Sequence, residues 1–80
     1  MKKALIYLVL FLPFYAIAQS SPHLNTGIGL FNINNYPAAL EELSKEIALH
    51  PNNIAAYNYR GLTHARMNNY EAALADYDKE

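Results

Sequence analysis

His23, His50 and His64 are the side chains best suited to acid–base or metal chemistry, yet their spacing serves neither. They are far apart and fit no ligand pattern such as His-Glu-x-x-His, which sets two imidazoles on one helix face. Glu41-Glu42 and the pair Asp76 and Asp78 offer neighbouring carboxylates. A solvated helix face accounts for them better than general acid–base work. Ser20, Ser21 and Ser44 lack the Gly-x-Ser-x-Gly setting that exposes a nucleophile. Gly27-Ile28-Gly29 begins like a phosphate loop, but no strand pattern precedes it and no third glycine follows. There is no cysteine, which excludes thiol nucleophiles, thiolate metal sites, disulfide scaffolds and lipidation on Cys. The reading is therefore of a chain with no catalytic residues, no metal site and no cofactor. With 80 residues, a net charge of −1 and Arg60 and Arg66 as its sole arginines, it is also a poor candidate for binding nucleic acid.

The elements that would position any working surface come next. Residues 1–3 give a basic start, residues 4–12 an unbroken apolar run, and Ala16-Ile17-Ala18 a small-bulky-small end. This is the layout of a secretory signal peptide over residues 1–18, with cleavage expected between Ala18 and Gln19. The alternative is a membrane anchor over residues 4–18. That segment is interrupted by Pro13 and falls short of the about 20 residues a spanning helix needs. Cleavage implies export to a periplasmic or extracellular space, with no stable membrane span left behind. Lys2 and Lys3 leave with the signal, so the remainder is more acidic than the whole.

Residues 20–80 match themselves at an offset of 34. Gly27 falls on Gly61, Asn34-Asn35-Tyr36 on Asn68-Asn69-Tyr70, Ala38-Ala39-Leu40 on Ala72-Ala73-Leu74, and Lys45-Glu46 on Lys79-Glu80. A fixed period of this length marks a solenoid repeat. Tyr36, Leu40, Leu43 and Ile47 recur at helical spacing, as do Tyr70, Leu74 and Tyr77. Helical spacing also joins Leu24, Ile28 and Phe31, and again Tyr57, Gly61 and His64. The Asn-Asn pairs supply the turns between paired helices, and His50-Pro51-Asn52-Asn53 ends the first hairpin. The expected fold is all-α, with antiparallel helix-turn-helix repeats forming an α-solenoid of about two repeats. The first hairpin occupies residues 19–53 and the second 54–80, incomplete at its end.

Gly27 and Gly61 sit in helix interiors, where glycine costs about 0.8–1 kcal/mol against alanine. The recurrence of that cost predicts a close helix–helix seam, with Gly27 facing Ala39 and Gly61 facing Ala73.

The period, the repeated Gly, the Tyr after a turn, the Ala-Ala-Leu run and the Pro-Asn-Asn loop together resemble the tetratricopeptide repeat family. The second repeat is similar to a subfamily with an Asn-x-Arg-Gly start and an Asp-Tyr-x-Lys second helix. The first departs from the pattern at His23 and Thr26. The resemblance implies a non-catalytic protein-interaction module with a protein or peptide partner. The first helix of each repeat, over residues 22–33 and 54–67, would line a peptide-binding groove. Its positions would be Leu24, Asn25, Ile28, Phe31 and Asn32, then Asn58, Tyr59, Leu62, Ala65 and Arg66. An Asn amide at 25 or 58 both donates and accepts, so it can clamp a peptide group without reading sequence. Arg66 is suited to a carboxylate. The groove face carries no lysine. The resemblance also implies an ion pair between Arg60 and Asp76.

Two further readings accompany this one. One takes the chain as the front of a longer exported repeat protein whose effector or catalytic domain is absent, since Glu80 falls before the period closes; the other has copies self-associate to cover an open helix flank. Two incomplete repeats leave Leu74 and Tyr77 without a neighbour, and a chain this small is marginal alone.

Overall fold

The computed structural model describes residues 21–79. The proposed signal segment and its cleavage point lie outside the described residues. Four helices follow one another: α1 (Pro22–Asn32), α2 (Tyr36–Leu49), α3 (Ile54–Arg66) and α4 (Tyr70–Tyr77). No strand occurs among the described residues. The molecule is all-helical, as the periodicity requires. Helices α1 and α2 pair as one hairpin and α3 and α4 as the next, with α2 packed on α3 between them. Among the described residues no helix is long and apolar enough to cross a membrane.

Local chemistry explains the boundaries. Proline occupies the first turn of both α1 and α2, where the missing N–H breaks no helical bond. The two Asn-Asn turns have one geometry. Asn34 and Asn68 both adopt φ 64°, in the left-handed region. The amide of Asn34 donates to Phe31 O at 3.0 Å and that of Asn35 to Leu30 O at 2.8 Å. In the second turn Asn68 donates to Ala65 O at 3.0 Å and Asn69 to His64 O at 2.8 Å. These paired bonds are a Schellman closure, which satisfies the carbonyls that a helix end leaves free. The phenol of the next residue then donates back to the turn: Tyr36 Oη to Asn34 Oδ1 and Tyr70 Oη to Asn68 Oδ1, each at 2.9 Å. Asparagine tolerates this backbone better than other side chains, and a β-branched residue does not. We therefore expect Asn34→Val to destabilise the chain by ~1–2 kcal/mol and Asn34→Gly to be close to neutral. Denaturant titration of the two variants checks this, and equal stabilities would contradict it.

The core is small and lies where the helices cross. Ala39, Leu43, Ala56 and Ala73 are buried, with Tyr57 nearly so. The glycine seam differs from the expected one. A Cβ on Gly27 would lie 2.7 Å from Leu43 Cγ and Cδ2, and one on Gly61 would lie 2.6 Å from Tyr77 Cε1. Gly27 thus opposes Leu43 rather than Ala39, and Gly61 opposes Tyr77 rather than Ala73. Glycine here makes room for a large side chain on the neighbouring helix. The same contact corrects the expectation for Tyr77, which packs back across its own hairpin and is half-buried. Leu74 is the residue left bare, at 61% exposure.

Candidate functional site: the face of helices 1 and 3

Helices α1 and α3 also touch each other. Their contact is aromatic. The Phe31 and Tyr59 rings meet edge to face, with centroids 5.8 Å apart and planes at 78°. Tyr36 joins from the start of α2, tilted by 56° at 5.8 Å from Phe31. The Arg66 guanidinium lies 5.7 Å from the Phe31 centroid, in cation–π range. Three residues of the expected groove, Phe31, Tyr59 and Arg66, are thereby brought together.

The other groove positions are distributed around this cluster. Asn58 is half-buried, and its Oδ1 is buried without a hydrogen-bond partner. Leu62 is exposed to 37%, and Ala65 is half-buried. On α1, Leu24 and Ile28 are half-buried while Asn25 and Asn32 are exposed. Among the described residues no aromatic, cation–π or side-chain hydrogen-bond contact ties Leu24, Asn25, Ile28 or Asn32 to the Phe31 cluster. Tyr36 is the member that sequence reasoning missed as part of this face. Its helical spacing assigned it to packing alone, and its ring does both.

A polar cluster on the opposite side of α3 fixes how that helix is rotated. Arg60 Nη2 donates to Asp76 Oδ1 at 2.7 Å and Nε donates to Oδ2 at 2.9 Å, a two-pronged pair. The hydrogen bond to Asp76 is the main reason the Arg60 guanidinium is held above its ordinary pKa. Arg60 also lies 5.7 Å from the Tyr57 ring centroid and donates to Ser44 Oγ at 3.3 Å. His64 Nε2 approaches Asp76 Oδ2 at 3.9 Å, too far for a hydrogen bond. The expected Arg60–Asp76 pair is therefore present. Asp76 itself is only 4% exposed, which corrects its reading as part of a solvated face.

Glu46 is a second buried acid, at 1% exposure. Its Oε2 accepts from Asn53 Nδ2 at 2.7 Å, tying the end of α2 to the residue before α3. That bond helps set the angle between the hairpins. In α2, Lys45 lies 3.3 Å from Glu42 and 3.5 Å from Glu41. Its ammonium pKa is raised chiefly by Glu42. His23 Nδ1 also lies 3.3 Å from Glu42. Among the described residues no group of His, Asp and Glu side chains has the arrangement to hold a metal ion.

The paired-helix architecture defines a helical-repeat protein. The chain is similar to the Hsp70-Hsp90 organizing protein 1 of Glycine max, with 40% identity over 50 residues. The match covers 62% of this chain and 9% of that protein, so the chain spans a small part of its relative's length. No protein-family model matches the chain. No solved structure matches it. The likeness agrees with the two hairpins in pointing to tetratricopeptide-like helical repeats and to a protein-interaction module.

Proposed function

We propose that the chain is a non-catalytic module that holds a peptide segment of a partner protein along the α1–α3 face after export. The observation that carries this reading is the joining of Phe31, Tyr59 and Arg66 across α1 and α3. Aromatic edges bury apolar side chains, and a guanidinium pairs with a carboxylate. The relative is by name an Hsp70-Hsp90 organizing protein, which supports a protein as the partner. Leu24, Asn25, Ile28, Asn32 and Leu62 would extend the contact away from the aromatic centre.

The test is selection from a displayed library of random peptides against the full chain. Enriched peptides should lose at least about tenfold in affinity on Phe31→Ala or Tyr59→Ala, which corresponds to about 1.4 kcal/mol. A set of binders indifferent to both substitutions rejects the site. Arg66→Ala should weaken peptides with a free carboxylate more than their amidated forms.

Export is a separate proposal and rests on residues 1–18. It places the working molecule in a periplasmic or extracellular space, with self-association as a further property. Intact-mass measurement of the exported protein should give Gln19 or a near neighbour as the first residue. A stable, membrane-embedded form that retains Met1 would instead support anchoring by residues 4–18.

A further inference from the structure

The 34-residue translation that relates the hairpins also relates their outer flanks. Within the molecule α3 packs on α2. On α2, Leu40 is half-buried, as is Tyr36, whose ring also meets Phe31 of its own hairpin. One period later α4 carries the same residue types, Tyr70 and Leu74, both bare. The converse holds at the other end. Helix α3 buries Ala56 and Thr63 completely. One period earlier their counterparts on α1, Pro22 and Gly29, are exposed, and a Cβ on Gly29 would meet nothing within 4 Å. Ile33 is bare where its counterpart Met67 is half-buried. One chain therefore carries, unpaired, both halves of an interface that it already makes once.

We propose that a second copy of this chain covers α4, with its α1 seated there as α3 is seated on α2, so that copies stack head to tail. Continuity with the α2–α3 interface selects this occupant, since the same translation that builds one seam builds the next. Such a contact is heterologous, and each copy keeps one free flank for a further copy. In the existing seam Arg60 reaches Ser44. In the new one their counterparts, Thr26 of one copy and Asp78 of the next, come together. The threonine hydroxyl can donate to the carboxylate, so the pair is chemically compatible. Gly29 and Thr26 leave a low surface on α1 against which the side chain of Leu74 can rest.

The chain has no cysteine, so introduced ones are unique handles. Full-length Thr26→Cys and Asp78→Cys variants, mixed and treated with a short bis-maleimide, should give a cross-linked dimer. Neither variant alone should do so, because a head-to-tail seam never sets like against like. Adding Leu74→Glu to the Asp78→Cys chain should abolish the product while leaving the helical circular dichroism unchanged, since Leu74 is already exposed. Cross-linking of Asp78→Cys with itself would show a symmetric α4–α4 contact and overturn the proposal. So would a mixture that yields no dimer, as expected if α4 is covered by another protein or by a continuation of this chain. A dimer that survives Leu74→Glu would overturn it as well.

Discussion

Gly61→Leu is expected to lower the melting temperature of the chain far more than Leu62→Ala. The two sites are adjacent, but the rotation of α3 separates them. A Cβ at position 61 would stand 2.6 Å and 2.9 Å from two carbons of the Tyr77 ring, closer than folded proteins allow. Replacing glycine in a helix interior recovers about 0.8–1 kcal/mol of propensity. Overpacking costs ~1–3 kcal/mol and more when, as for leucine, several carbons must be placed. The net is a loss. Leu62 forfeits only part of the ~1.5–3 kcal/mol of a full burial, because it is already partly in water. At about 4–8 °C per kcal/mol for a domain this small, the difference is easily seen in thermal melts. If Leu62→Ala proves the worse variant, α3 is rotated from the position described here.

The two glycines should also differ from each other. Tyr77 is the last residue of α4 and half-buried, so its ring has somewhere to go. Leu43 is fully buried at the centre of α2, and its own backbone nitrogen lies 3.4 Å from the added carbon. Gly27→Ala should therefore be costlier than Gly61→Ala in the same melts.

This seam shows where sequence reading succeeded and where it stopped. The period located both glycines and both turns, because self-similarity at a fixed offset demands the same backbone twice. The resemblance to the tetratricopeptide family placed Phe31, Tyr59 and Arg66 on one face. Spacing does not say which residue of the opposing helix is met, as that depends on the crossing angle and the helices' relative offset along their axes. The expected partners Ala39 and Ala73 were each one helical turn away from the actual ones. Asp76 was misjudged for a related reason: as one of two neighbouring carboxylates it was assigned to a solvated face, and its burial depends on how α4 packs against α3. Leu24, Asn25 and Asn32 were placed by the same resemblance.

Arg60→Met is expected to cost more stability than Asp76→Leu, although each removes one half of the same pair. The two halves are not equally buried: the Asp76 carboxylate is enclosed, while about a quarter of the Arg60 side chain reaches solvent. Removing Arg60 strands a buried negative charge, a loss of ~3–5 kcal/mol in comparable cases. Methionine preserves much of the stem that packs near Tyr57, so lost packing is a small part of the result. His64 stands too far away to replace the donor without moving. Removing Asp76 frees a guanidinium that can turn outward and keeps Ser44 as an acceptor. The leucine also fills the vacated space with apolar volume. A chain of this size has only ~5–15 kcal/mol of total stability, so Arg60→Met should leave it close to unfolding at ambient temperature. The double variant should recover most of the loss, because no unpaired buried charge is then left at this site. Denaturant titrations of the two single variants and the double variant give the coupling directly. Equal single losses that simply add would show that Asp76 is solvated in solution and that the pair does not fix the rotation of α3.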